Sequence, residues 1–285
     1  MTRLAVLADI HSNLPALEAV LDDLKNFSVD RIIVAGDVVN WGPFSRQVME
    51  RLSDLDCAII RGNNELYLTE WQSSRMPEAW KVFTVPPYTL AQLGDHWVNV
   101  ISTWPDSLTL RFRDAPLIQV VHGSPHSPFE AMLPTDSDSQ LETMLASVEA
   151  PTVIAAHSHL ALDRHVGRWH LINPGSVGNP LDGDVTASYM LLDGRSDGWQ
   201  VTHRRIPFDS QRVIDEFERT RFVDQSGVIG YLVMQEYKSA RMEVLPFLKW
   251  WRKNYPDEPQ SMALLEAFSQ VNKRDYMPVA YQVGM

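Results

Sequence analysis

The feature that most constrains this chain is a repeated junction. Short apolar runs end, one after another, in residues able to hold a metal ion. Leu4–Ala8 leads into Asp9-Ile10-His11, Arg31–Ala35 into Gly36-Asp37, and Cys57–Ile60 into Gly62-Asn63-Asn64-Glu65. Two later runs end in His122-Gly123-Ser124 and His157-Ser158-His159. Asp9 and Asp37 lie 28 residues apart and Asp37 and Asn63 lie 26 apart, near the length of one strand-plus-helix unit. Each step therefore returns the chain to the same edge of a sheet. In open α/β sheets, ligands gather beyond the carboxyl ends of the strands.

Between these runs the pattern is helical. Asn13-Leu14-Pro15 reads as a helix start, and Leu14, Leu17, Val20, Leu21 and Leu24 give an apolar face at helical spacing. Phe44–Leu55 reads as a second helix. The order βαβαβ predicts parallel strands joined by right-handed crossovers. Residues 65–104, rich in Trp and Pro, read as an irregular helical insertion or cap. Strand-like runs return at Leu108–Phe112, Leu117–Val121, Val153–Ala156, Leu162–Val166, His170–Ile172, Ala187–Leu192 and Gln200–Ile206. Val166-Gly167-Arg168 and Asp193-Gly194-Arg195 suggest hairpin turns, so the later part of the core is more β-rich and partly antiparallel. From Asp209 the pattern is helical to the end. The chain divides on this reading into an α/β domain over 1–208 and a helical extension over 209–285.

Composition closes off several functional classes. Lys and Arg number 25 against 36 Asp and Glu, a net charge of −11. That disfavours non-specific coating of nucleic acid or anionic lipid, which needs a basic field. The single cysteine, Cys57, rules out an intramolecular disulfide or a Cys-based zinc site, and it reads as a buried strand thiol. The first apolar run is too short for a signal-peptide core, and no apolar run reaches membrane-spanning length. The expectation is a cytoplasmic protein without a membrane partner.

The junctions supply two carboxylates (Asp9, Asp37), four imidazoles (His11, His122, His157, His159) and one amide oxygen (Asn63). Residues two apart in an extended segment can point the same way. Asp9 and His11 can thus grip one ion, and His157 and His159 can reach two neighbouring ions. If one carboxylate bridges, seven groups serve two ions with four contacts each. Mixed N/O donors without thiolate suit Mn, Fe, Zn, Co or Ni and disfavour calcium or copper(I). Two such ions, roughly 3.5–4 Å apart, form a clamp used in phosphate-ester hydrolysis. His96, His165, His170 and His203 fall at no such junction and read as ordinary core or surface residues.

The ordered set D-x-H, G-D, G-N, H-G and H-x-H resembles the calcineurin-like metallophosphoesterase superfamily over residues 1 to about 206. Asp9-Ile10-His11-Ser12-Asn13, Gly36 to Pro43, His122-Gly123-Ser124-Pro125 and Asn173-Pro174-Gly175-Ser176-Val177-Gly178 are similar to its bacterial YfcE-like phosphodiesterase branch. The resemblance implies an α/β four-layer αββα sandwich with a dimetal site at its rim. It also implies that Asp9, His11, Asp37 and His159 hold one ion, and that Asp37, Asn63, His122 and His157 hold the other, with Asp37 bridging. A water between the ions then becomes the nucleophile toward a phosphoester. Manganese is the natural choice of assay metal.

The chain departs from that pattern at four places. Asn64 stands where many members carry a histidine that acts as general acid or phosphate contact. An amide can donate a hydrogen bond but cannot deliver a proton. His126 replaces a frequent arginine, Trp41 a frequent tyrosine, and Ala156 a usual glycine. Asn64 and His126 are the candidates to stabilise the transition state, and Trp41 is the candidate to stack on a base or aryl group. Glu65 reads as support for a helix start, and Asn173–Ser176 as a turn near the site. A phosphodiesterase is the leading expectation. A nucleotide pyrophosphohydrolase, a phosphomonoesterase and a non-catalytic scaffold on the same fold are the alternatives. Residues 238–253, basic and carrying Trp250 and Trp251, read as a helix packing its aromatic face on the core or on a second copy of the chain.

Overall fold

A computed structural model describes residues 1–282 of the chain. Two five-stranded sheets lie at its centre. The first sheet is built from β1 (Arg3–Leu7), β2 (Arg31–Val34), β3 (Cys57–Ile59), β9 (Ala187–Arg195) and β10 (Gly198–Ile206), in the order β10-β9-β1-β2-β3. β1, β2 and β3 are parallel and β9 runs against β1. The second sheet holds β4 (Ser107–Leu110), β5 (Ile118–Val121), β6 (Thr152–Ile154), β7 (Leu162–Val166) and β8 (Trp169–Asn173), in the order β4-β5-β6-β8-β7. Both sheets are mixed.

The layers follow from strand periodicity, since alternate residues face opposite sides. Leu4, Val6 and Ala8 point between the sheets and meet Ile118, Val120, Ile154 and Ile172 from the second sheet. Ala5 and Leu7 point outward into a second apolar layer with α1 (Leu14–Leu24) and α2 (Ser45–Ser53). Val121, Val153, Ala155 and Leu171 face away from the first sheet and pack with Leu141 and Leu145 of α5 (Asp138–Leu145). The result is helix, sheet, sheet, helix. Strands buried on both faces explain why the runs read as continuous apolar stretches rather than alternating ones.

Residues 63–104 form α3 (Asn63–Thr69) and α4 (Pro86–Ser102), the latter broken at Gly94. The C-terminal helices α6 (Ser210–Arg219), α7 (Phe222–Ser239), α8 (Val244–Asn254) and α9 (Met262–Ser269) share one apolar cluster with α1, α2 and the outer face of the first sheet. Trp250 packs against Phe247, Tyr255 and Phe268, so the aromatic face near 250 is turned inward. No helix among the described residues is long and apolar enough to cross a membrane.

Three local expectations shift. Asp193-Gly194-Arg195 is strand, not turn: Gly194 pairs with Trp199 and the ladder runs on to Arg195–Gly198, placing the reversal at Ser196-Asp197. α5 had no counterpart in the sequence reading, because it buries only Leu141 and Leu145. Cys57 is half-buried rather than buried, since β3 is the edge strand of its sheet.

Candidate metal centre

The ends of β1, β2, β5 and β6 and the start of α3 meet at one rim of the two sheets. Ligand atoms of Asp9, His11, Asp37 and His159 lie within 4.8 Å of one another, and so do those of Asp37, His122 and His157. Asn63 joins the second group, its Oδ1 3.0 Å from His122 Nε2. Asp37 belongs to both groups.

The backbone there is unusual. Asp9, His11, Asp37, His157 and His159 all have positive φ, between 45° and 64°. Non-glycine residues seldom adopt this region, Asp and His more readily than most, and such strain concentrates at functional sites. Each strand thus ends in a sharp reversal that turns the side chain back over the rim. Two glycines make room for this packing. Gly36 has φ of 90° and a Cβ on it would stand 2.6 Å from His122 Nδ1, while a Cβ on Gly62 would stand 2.1 Å from Asp37 Oδ1.

Neighbouring groups set the direction of the imidazoles. His122 Nδ1 lies 2.8 Å from the Ala35 carbonyl, and His159 Nδ1 faces the Asn179 carbonyl. A carbonyl can only accept, so each Nδ1 carries hydrogen and turns Nε2 toward the centre, the arrangement common in metal-ligating histidines. Burial holds His11 and His157 down to about 3 and His159 to about 4, so all three are neutral and able to ligate at pH 7.

The donors fit cations and little else. His11 Nε2 and His159 Nε2 are 3.2 Å apart. Both oxygens of the fully buried Asp9 carboxylate lack a hydrogen-bond partner. An unpaired buried carboxylate is costly, and burial raises the Asp9 pKa well above the usual range. At His122 burial opposes protonation, but the charge of Asp37 and its hydrogen bond prevail and lift the pKa to about 9. The cluster therefore attracts positive charge at its centre.

Asn64 donates its backbone N–H to Asp37 Oδ1 at 2.9 Å and its Nδ2 to Asp37 Oδ2 at 2.6 Å, and accepts from Asn40 Nδ2 at 2.8 Å. It orients the carboxylate shared by both groups. Trp41 lines the same cavity, edge-on to Phe83 with ring centroids 6.0 Å apart. His126 does not: it is exposed and lines a neighbouring groove with Asp106, Arg111 and Glu149, which His122 also lines. Asn173–Ser176 ties the rim together. Ser176 Oγ donates to the Asp9 carbonyl, and Asn173 Nδ2 to the Ala156 carbonyl and Ser158 Oγ.

Some functional neighbours escaped the sequence reading. Glu65 does more than start α3: its carboxylate accepts from the backbone N–H groups of Asp37, Val38, Val39 and Gly62. Tyr237 donates its hydroxyl to the His11 carbonyl. Asn179, one residue past the Asn173–Gly178 motif, and Glu236 line the cavity and bond to each other. The polar residue directly after Gly178 was the available signal for Asn179; a lone glutamate in α7 offered none.

A model of the calcineurin-like phosphoesterase superfamily domain matches residues 2–197. The chain belongs to this superfamily. An uncharacterized protein of Methanocaldococcus jannaschii is 26% identical over 237 residues, covering 79% of this chain and 95% of that relative. Phosphodiesterase YfcE of Escherichia coli is 26% identical over 203 residues, covering 68% of this chain and 88% of that enzyme. Among solved structures, a hypothetical protein of Pyrococcus horikoshii overlays with a TM-score of 0.72 at 23% identity, covering 85% of this chain and all of that one. A metallophosphoesterase of Sphaerobacter thermophilus overlays with a TM-score of 0.67 at 22% identity, covering 84% and 100%. These two overlays extend the shared fold past the domain match.

Proposed function

We propose that the chain is a two-metal phosphoesterase that hydrolyses phosphodiesters. One divalent ion is assigned to Asp9, His11, Asp37 and His159, and the other to Asp37, Asn63, His122 and His157. The observation that carries this reading is the buried Asp9 carboxylate, whose oxygens have no hydrogen-bond partner although they lie among the histidine and Asp37 donors. The N/O donor set suits Mn, Fe, Zn, Co or Ni, and Mn²⁺ is the metal to assay first. Divalent ions held there supply Lewis-acid polarisation of a phosphoryl oxygen and an activated water.

The chain's own residues set the rest. Asn64 fixes the shared Asp37 through one Nδ2 hydrogen, and the amide has a second to offer a phosphoryl oxygen. Position 64 has no proton to deliver, so the leaving group departs without an acid there. General acid assistance is worth about 10²–10⁴-fold. The enzyme should therefore turn over bis-aryl phosphodiesters at least about 100-fold faster than alkyl phosphomonoesters. Equal or faster turnover of the alkyl monoesters would contradict this.

The direct test pairs metal analysis with bis(p-nitrophenyl) phosphate hydrolysis, wild type against Asp37→Ala. The wild type should bind metal and turn over the diester, and the variant should lose both. Metal bound without turnover of any phosphoester would favour a scaffold instead.

A further inference from the structure

Beyond the metal donors the cavity changes character. Its volume is about 190 Å³; Asn64, Asn179 and Glu236 remain on its lining, and its apolar walls come from two distant parts of the chain. Trp41, Tyr67 and Phe83 form one aromatic group, with Tyr67 and Phe83 centroids 5.0 Å apart. Val244, Leu245 and Leu248 come from the start of α8. Among the described residues lining the cavity none is lysine or arginine. Arg252, one turn past Leu248, acts electrostatically on Tyr67 but is exposed and outside that lining.

This wall discriminates between substrate classes. A two-ion centre engages one phosphoryl group. The further charges of a nucleoside polyphosphate would be desolvated against leucine and phenylalanine with no cation to pair them, which is costly. An apolar ester group instead gains by leaving water. The cavity is small and is shared with the space over the metal donors, so it suits a compact organic group rather than a long polyphosphate chain.

We infer that Trp41, Tyr67, Phe83, Val244, Leu245 and Leu248 form a hydrophobic subsite for the organic group of a phosphoester with a single phosphoryl centre, and that this subsite selects against nucleoside polyphosphates. The inference rests on the phosphoesterase reading and narrows it.

The test uses the full chain loaded with Mn²⁺ and two p-nitrophenyl diesters that share a leaving group, their second ester group being methyl or phenyl. Diadenosine tetraphosphate is the polyphosphate probe. The phenyl diester should exceed the methyl diester in kcat/KM by about tenfold or more. The gain should lie mainly in KM, because the ring contacts the wall before and during reaction alike. The polyphosphate should be at least about 100-fold poorer than the phenyl diester. Leu245 is 36% exposed, so Leu245→Lys should fold. It should remove most of the phenyl advantage, bringing the phenyl-to-methyl ratio of kcat/KM close to one. Calorimetry with phenylphosphonate and methylphosphonate reads the same preference without turnover. Equal efficiency for the two diesters, equal phosphonate affinities, or a preference for the polyphosphate would overturn the subsite while leaving the phosphoesterase reading intact. No turnover of any ester by the metal-loaded protein would instead end that reading.

Discussion

Glu65 holds the metal-site loops together at the scale of a single side chain. Its carboxylate accepts N–H groups at 2.9 Å from Asp37, 2.9 Å from Val38, 3.2 Å from Val39 and 2.7 Å from Gly62. Leaving a buried donor unpaired costs about 1–3 kcal/mol. Glu65→Ala should therefore lower the unfolding free energy by at least about 3 kcal/mol in denaturant titrations, and a loss below about 1 kcal/mol would show the clamp to be dispensable. Glu236 adds a pH dependence. Burial raises its pKa to about 7, against the backbone N–H groups of Val244 and Glu243 that favour the ionised form. A raised native pKa means that the folded state binds a proton which the unfolded state releases between the ordinary value of 4.5 and about 7. This contribution is full below the unfolded pKa and fades as pH rises through the folded one. From pH ~5 to ~8 the wild type should lose about 2 kcal/mol relative to Glu236→Gln. Parallel stability curves for the two proteins would refute that assignment.

At the scale of elements, the turns after β1, β2, β3, β5 and β6 build the site. The β3–α3 turn is tight, because a Cβ on Gly62 would stand 2.1 Å from Asp37 Oδ1. Gly62→Ala should displace the Asp37 carboxylate and cut hydrolysis at least about 100-fold, while circular dichroism shows the fold retained. Activity within about threefold of wild type would mean that the turn relaxes without moving the carboxylate. These turns were legible in the sequence because each combines a strand signal with a polar residue of distinctive chemistry. The cavity wall was not. Tyr67, Phe83, Leu245 and Leu248 look like any core residues, and only the packing of α8 brings positions some 180 apart to one cavity. α5 was illegible for a different reason, its two buried leucines giving too little apolar periodicity, although its capping box, Ser137 with Gln140, is present in the sequence.

At the scale of the whole molecule, the layering was legible because both faces of each central strand are apolar, and βα spacing returns the chain to one rim. His126 illustrates the limit of the same reasoning. It follows a rim motif by a few residues, yet it is exposed and lines a groove shared with His122 rather than the cavity over the other donors. The C-terminal helices share the outer apolar layer of the first sheet and supply part of the cavity wall, so the cavity is built partly from residues beyond the matched domain. The central claim is that paired cations sit between Asp9, Asp37, Asn63 and the four histidines. Anomalous scattering from crystals grown with Mn²⁺ measures this directly. It should show two peaks per chain, roughly 3.5–4 Å apart, with Asp37 touching both; a single peak, or peaks away from these residues, would contradict it.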